Sequence, residues 1–195
     1  MPKKELLRQI FASAGLSPTD LESVLAAFDL VEYTKDAYLL QEGQYAKEYY
    51  FVESGFLRSF VVDYDGKEIT TDFYSRGQII LEAPSFFLRQ PTREYIQALQ
   101  PSNCWRISYE RFQEMFDRID AFREAGRFRL VQSFFALKKR SISMVADQAK
   151  DRYLYLLEEQ PEILHNAPLK HIATYLGITD TSLSRIRKEV ANSRQ

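Results

Sequence analysis

Residues 169–188 read Leu169-Lys170-His171-Ile172-Ala173-Thr174-Tyr175-Leu176-Gly177-Ile178-Thr179-Asp180-Thr181-Ser182-Leu183-Ser184-Arg185-Ile186-Arg187-Lys188, and the reading of this stretch decides the rest. Leu169, Ile172, Ala173 and Leu176 share one face of a first helix, and Gly177 stands just past its end, where a left-handed residue costs least. Thr179 starts a second helix, its hydroxyl serving as N-cap acceptor, and Leu183, Ile186 and Val190 follow at helical spacing to fold back on the first. Ala173 is small because the helices cross there. The opposite face presents Thr181, Ser184, Arg185 and Lys188, groups that hydrogen-bond base edges and neutralise phosphates. The pattern is that of a helix-turn-helix. Thr179, Thr181, Ser182, Ser184, Arg185, Arg187 and Lys188 are its candidate DNA-contacting residues.

Charge distribution points the same way. The chain of 195 residues has a formal net charge of -1, which hides an asymmetry: residues 1–120 hold 13 Lys and Arg against 19 Asp and Glu, while the remainder holds 13 against 8. An acidic first part is repelled by nucleic acid and a basic second part attracted, as expected of a sensor joined to a DNA reader. The single cysteine, Cys104, excludes an internal disulfide and a four-thiolate iron-sulfur cluster. His165 and His171 lie six apart with no cysteine near them and do not make a zinc site. No metal or other cofactor is expected. No apolar run reaches the ~20 residues of a membrane helix and no signal peptide is evident, so the expected location is the cytoplasm, with no membrane partner.

The remaining elements follow in order. Residues 4–14 form a short amphipathic helix with Leu6, Leu7, Ile10 and Phe11 on one side, ended by Gly15. Ser17-Pro18 starts a second helix that buries Leu21, Val24, Leu25 and Phe28. From Leu30 to Ile107 the period becomes two, and glycines at 43, 55, 66 and 77 punctuate it at spacings of 12, 11 and 11 residues. Short strands with turns at that spacing form a jelly-roll-like β-barrel, with Asp65-Gly66 as a hairpin turn. Ser108–Phe116 is a short capped helix. A long helix runs from Asp120 to Val145, in which Leu130, Phe134, Leu137 and Met144 make a heptad seam widened by Val131, Phe135 and Ile142. One surface cannot cover that much apolar area, so one side is expected on the barrel and the other on a second copy of the chain. Asp147–Gln160 forms the next helix, Pro161 stops it, and Asn166-Ala167-Pro168 leads into the helix-turn-helix. Nothing after Lys188 makes a β-hairpin, so no full wing follows. The fold class is α+β, with a sensing barrel at 1–119, a dimerisation helix at 120–145 and a helix-turn-helix domain at 146–195.

With a glycine-punctuated barrel, a long helix and a C-terminal helix-turn-helix in this order, the chain resembles the CRP/FNR superfamily of bacterial transcription regulators over nearly its whole length. The stretches 168–179 and 183–187 carry the resemblance most specifically. It implies a cyclic-nucleotide-binding-like barrel, a homodimer joined through the long helix, an inverted-repeat DNA operator and RNA polymerase as a further partner. It also implies an unknown small-molecule effector whose binding reorients the DNA-reading helices. The family's phosphate cassette corresponds to residues 77–98, and here the sequence departs from it. Glu82 matches the ribose-binding Glu, but Leu81 replaces the preceding Gly. Thr92 replaces the phosphate-binding Arg, with Arg93 one position late, and a one-residue slip in a strand turns a side chain to the other face. Leu81, Glu82, Thr92 and Arg93 are the candidate effector-pocket residues, and cyclic AMP is not the expected effector. Thr181 stands where the family often carries a base-reading acid, so the operator need not be the family's common one.

Two other function classes compete. A small-molecule-binding regulatory module could act through protein contacts instead of DNA. An enzyme finds no support, since no nucleophile is paired with a base and no dinucleotide or phosphate-loop glycine pattern is present.

Overall fold

A computed structural model describes residues 4–193. Two helices, α1 (Glu5–Phe11) and α2 (Pro18–Ala26), precede the strands β1 (Asp29–Tyr33), β2 (Tyr38–Leu40), β3 (Glu48–Ser54), β4 (Leu57–Val62), β5 (Glu68–Tyr74) and β6 (Ile79–Ile80). A one-and-a-half-turn helix α3 (Ala83–Leu88), then β7 (Tyr95–Ala98) and β8 (Ser102–Ser108), complete the barrel. Helices α4 (Tyr109–Arg118), α5 (Asp120–Ala146), α6 (Ala149–Glu159), α7 (Pro161–Asn166), α8 (Leu169–Tyr175) and α9 (Asp180–Ser193) follow. The strands form two antiparallel four-stranded sheets, in the orders β1-β8-β3-β6 and β2-β7-β4-β5. This is the expected α+β architecture, and among the described residues no strand follows β8.

Local chemistry sets the element boundaries. Ser17 Oγ accepts from the Asp20 amide at 3.1 Å with Pro18 in the first turn of α2, and Ser108 Oγ caps α4 through the Arg111 amide at 3.3 Å. The four spaced glycines fall in the connections between β2 and β3, β3 and β4, β4 and β5, and β5 and β6, all with positive φ. Gly55 is the most constrained of them. A Cβ there would lie 2.6 Å from the Ser102 Cα, so the backbone of β8 leaves no room for a side chain. In the β4–β5 hairpin, Asp63 Oδ1 accepts from the amides of Asp65 and Lys67, both at 2.9 Å.

Several helices differ from the sequence expectation. Helix α1 ends at Phe11, three residues early, and α6 starts at Ala149 because Asp147 is extended. Pro161, expected only to stop α6, also starts the extra helix α7, where its missing N–H costs nothing. Helix α3 arises inside the strand region because Glu82 caps it and Pro84 sits in its first turn.

Aromatic rings join the N-terminal helices to the first sheet. Phe11 lies 5.8 Å from both Phe51 on β3 and Phe122 on α5, and Phe122 lies 5.7 Å from Phe112 on α4. Burying each ring stabilises the fold by about 1.5–3 kcal/mol. A second apolar cluster unites Phe56, Phe73 and Leu99 of the barrel with Leu156, Ile172, Leu183 and other residues of the C-terminal helices. Strand β4 shows the effect: Leu57, Arg58, Ser59 and Phe60 are all buried, because one face of its sheet looks into the barrel and the other is covered by α8. Helix α5 touches the barrel less than expected. Phe122 is its only fully buried residue, and beyond the first turns Arg129, donating to the Ile10 carbonyl at 2.6 Å, and Arg140 make the contacts. Residues 130–139 are exposed on both sides. Among the described residues no helix is long and apolar enough to cross a membrane.

Candidate nucleic-acid interface and barrel cavity

Helices α8 and α9 form the helix-turn-helix. The Gly177 amide bonds the Thr174 carbonyl and the Ile178 amide bonds the Ala173 carbonyl, both at 3.0 Å, with Gly177 at φ 69°. This pair of bonds is the Schellman closure of α8. Thr179 Oγ1 then accepts from the Ser182 amide at 3.2 Å and caps α9. Ile172 and Ala173 are fully buried, as are Leu183, Ile186 and Val190 opposite them. Leu169, expected in that face, is 41 % exposed. In its place His171 and Tyr175 are buried, because α8 has a second face packed on the barrel.

At about 100° per residue, Thr181, Ser184, Arg185 and Lys188 occupy an arc of roughly 100° on α9, centred opposite Leu183, Ile186 and Val190. All four are exposed, and Arg187 is exposed on the flank. Thr179 and Ser182 are committed differently, since the Thr179 hydroxyl meets Ser182 Oγ at 3.0 Å within the cap. Arg185 Nε lies 4.0 Å from Glu189 one turn on, an exposed pair that holds the guanidinium only weakly. Asp180 occupies the first turn of α9, where it complements the helix dipole.

A cavity of about 490 Å³ opens between the β2–β3 connection and α3. Leu40, Ile80 and Ile96 make its apolar wall, and Lys47, Glu48 and Glu82 bring one cation and two carboxylates to it. The Glu82 carboxylate accepts from the Ser85 amide at 2.7 Å and caps α3, while Ser85 Oγ accepts from the Ala46 amide at 2.8 Å. Thr92 is buried, with Oγ1 accepting from the Glu94 amide at 2.9 Å and its backbone tied to Gly43 and Gln44. Arg93 is exposed and Leu81 packs on the core. Of the four candidate pocket residues, Glu82 alone lines the cavity. Phe86 does not fill it, being buried against Tyr109 and Phe112 of α4. Outside that lining, the Tyr74 hydroxyl donates to Ser59 Oγ at 3.2 Å, and burial raises the pKa of Glu94 against the opposing pull of Thr71 and Arg140. The cavity lining thus sets two carboxylates against one cation where a cyclic phosphate needs cations.

Sequence reading missed the pair that joins the two halves. Arg58 on β4, 2 % exposed, donates from Nη1 to His171 Nδ1 on α8 at 2.7 Å. Its Nη2 meets Glu68 Oε2 at 2.5 Å and Gln97 Oε1 at 2.9 Å, and its guanidinium stacks over the Phe60 ring at 4.1 Å. The available signal was a lone Arg inside the apolar run Phe56-Leu57-Arg58-Ser59-Phe60, since a buried charge demands partners.

Residues 30–119 match the cyclic nucleotide-binding domain family. The cAMP-activated global transcriptional regulator CRP of Pasteurella multocida is 30 % identical over 101 residues, which are 52 % of this chain and 48 % of that protein. The chain therefore spans about half the length of the curated relatives it matches. Among solved structures, the c-di-GMP responsive global regulator CLP of Xanthomonas campestris superposes with a TM-score of 0.70 at 19 % identity, covering 91 % of this chain and 93 % of that one. FixK2 from Bradyrhizobium japonicum superposes with a TM-score of 0.71 at 19 % identity, covering 85 % of each. Residues 30–119 are thus similar to cyclic nucleotide-binding domains, and the order of barrel, long helix and C-terminal helices follows the fold of CLP and FixK2.

Proposed function

We propose that the protein is a homodimeric, sequence-specific DNA-binding transcription regulator of the cytoplasm, not an enzyme, with residues 1–119 as sensor, α5 as dimerisation helix and residues 146–195 as DNA reader. The observation that carries this reading is the exposed face of α9: Thr181, Ser184, Arg185 and Lys188 on one arc of a capped helix whose other side is buried on α8. Arg185 contacts a base or phosphate, Thr181 and Ser184 read base edges, and Arg187 and Lys188 position phosphates. Thr179 and Ser182 contribute by capping the helix, whose N-terminal amides favour a phosphate.

Dimerisation rests on α5, where Leu130, Phe134 and Leu137 are each more than half exposed and Met144 is 39 % exposed. Apolar residues at that density on a free helix call for a partner, and a second copy of the same seam provides one. The effector is a molecule other than cyclic AMP, because the cavity opposes one lysine with two carboxylates and Thr92 has no charge to offer a phosphate.

The test is selection of duplexes from a random-sequence pool by the purified chain, followed by footprinting. The expected product is an inverted repeat with half-sites about 34 Å apart. Absence of any salt-dependent DNA affinity would overturn the reading in favour of a module acting through protein contacts.

A further inference from the structure

Strand β5 is an edge of its sheet, and the C-terminal helices cover it. The Thr70 amide donates to Thr174 Oγ1 at 3.2 Å, and the Thr174 hydroxyl also meets Thr70 Oγ1 at 3.2 Å. Arg140 of α5 donates to the Thr71 carbonyl and, at 3.1 Å, to the Tyr175 carbonyl, while Phe73 packs edge-on to Tyr175 with ring centroids 5.1 Å apart. Beside this seam lies the contact between Arg58 and His171. A guanidinium can only donate, so His171 Nδ1 must accept, and the ring is neutral with its proton on Nε2. A second proton would set two cations 2.7 Å apart in a site closed to water.

Charged groups face His171 from every element around it. Arg58 comes from β4, Glu68 from β5, Lys170 from its own helix and Asp180 from α9. Burial first, then Arg58 and Lys170, lower its pKa to about 4 against the opposing pull of Glu68 and Asp180. Glu68 stays ionised beside Arg58, which lowers its pKa although burial alone would raise it.

We propose that the Arg58–His171 contact is a latch between the barrel and the DNA-reading helices: the α8–α9 unit is seated on β5 only while His171 is neutral, and a proton on the ring releases it. This deepens the DNA-binding reading, since what the seat holds is the recognition helix, yet it can be tested with no DNA present. The docked ring binds protons more weakly than a ring in water. Docking is therefore at full strength above pH 6.5 and weakens as pH falls toward 4. With those two limits, the docking equilibrium at pH 5 is about twenty-fold weaker than at pH 7.

The experiment is amide hydrogen exchange on the full chain at pH 7 and pH 5, expressed as protection relative to the intrinsic rate at each pH. Thr70 reports the seat, and Val52, whose amide bonds the Gln78 carbonyl inside the barrel, reports the fold. The expected result is an approximately twenty-fold loss of protection at Thr70 with Val52 unchanged. His171→Asn offers Arg58 an acceptor that does not titrate, and it should hold Thr70 protection equal at both pH values. Loss of that protection in His171→Asn to the wild-type extent, or an unchanged Thr70 in the wild type, overturns the proposal. Arg58→Gln supplies a second readout: the ring-proton titration of His171 should move from about 4 toward 6.5. A wild-type ring titrating near 6.5 likewise overturns it. Failure to bind DNA would sink the functional reading and leave these outcomes standing.

Discussion

The terminal methyl of Met144 on α5 occupies the space beside Gly177, and a Cβ on that glycine would stand 2.7 Å from it. The long helix and the turn of the helix-turn-helix are thus in direct contact, at a residue whose φ of 69° disfavours any side chain. Gly177→Ala should destabilise the C-terminal helices by about 1–2 kcal/mol through the left-handed backbone. Adding Met144→Ala removes the steric part only, so the double variant should recover less than half of the loss. Urea unfolding followed by far-ultraviolet circular dichroism measures both.

Arg185 and Lys188 share a face but should not share a role. Arg185→Ala is expected to cost about 1–3 kcal/mol on the selected operator and to relax the preferred base at one position. Lys188→Ala should weaken all sequences alike and lower the salt slope by about 1. Titrations of operator and scrambled duplex over a salt series separate the two. Equal losses on both duplexes for Arg185→Ala would remove it from base reading.

Phe134 and Leu130 project from α5 into solvent, more than half exposed. Replacing both by Asp should therefore cost the isolated chain little, within about 0.5 kcal/mol per site. It should also shift sedimentation from twice the chain mass to the 22.8 kDa of one copy. A wild-type chain that sediments as a single copy at micromolar concentration would refute the dimer seam.

Glu82 tests the barrel. Its carboxylate is engaged as the cap of α3, so Glu82→Ala should lower stability by about 1 kcal/mol. Cyclic AMP at 1 mM should leave the melting temperature of the wild type unchanged. A site with a 10 μM dissociation constant would instead add about 2.7 kcal/mol at that concentration. A clear upward shift with cyclic AMP would contradict the charge argument drawn from Lys47, Glu48 and Thr92.

The legible parts of the sequence were those governed by local chemistry. Gly43, Gly55, Gly66 and Gly77 marked real connections because each needs positive φ. Ser17, Ser108 and Thr179 marked helix starts because a hydroxyl caps over three residues. The arc of Thr181, Ser184, Arg185 and Lys188 could be placed from helical period alone. What was missed depends on packing between distant segments. Leu169 counted as buried on periodicity, whereas the barrel selected His171 and Tyr175, and nothing near residue 58 in the chain announces residue 171. The helix α3 was hidden because Ala83–Leu88 is too short for a period to show.

The covered edge of β5 has a consequence for synthesis. Thr70 of β5 leaves the ribosome about a hundred residues ahead of Thr174. Until α8 arrives, Thr70 and Thr71 lie on the uncovered outer edge of β5, which can template another chain. The C-terminal helices thus act toward their own barrel as a built-in chaperone, and a chain cut short after α5 would be left with an adhesive flank.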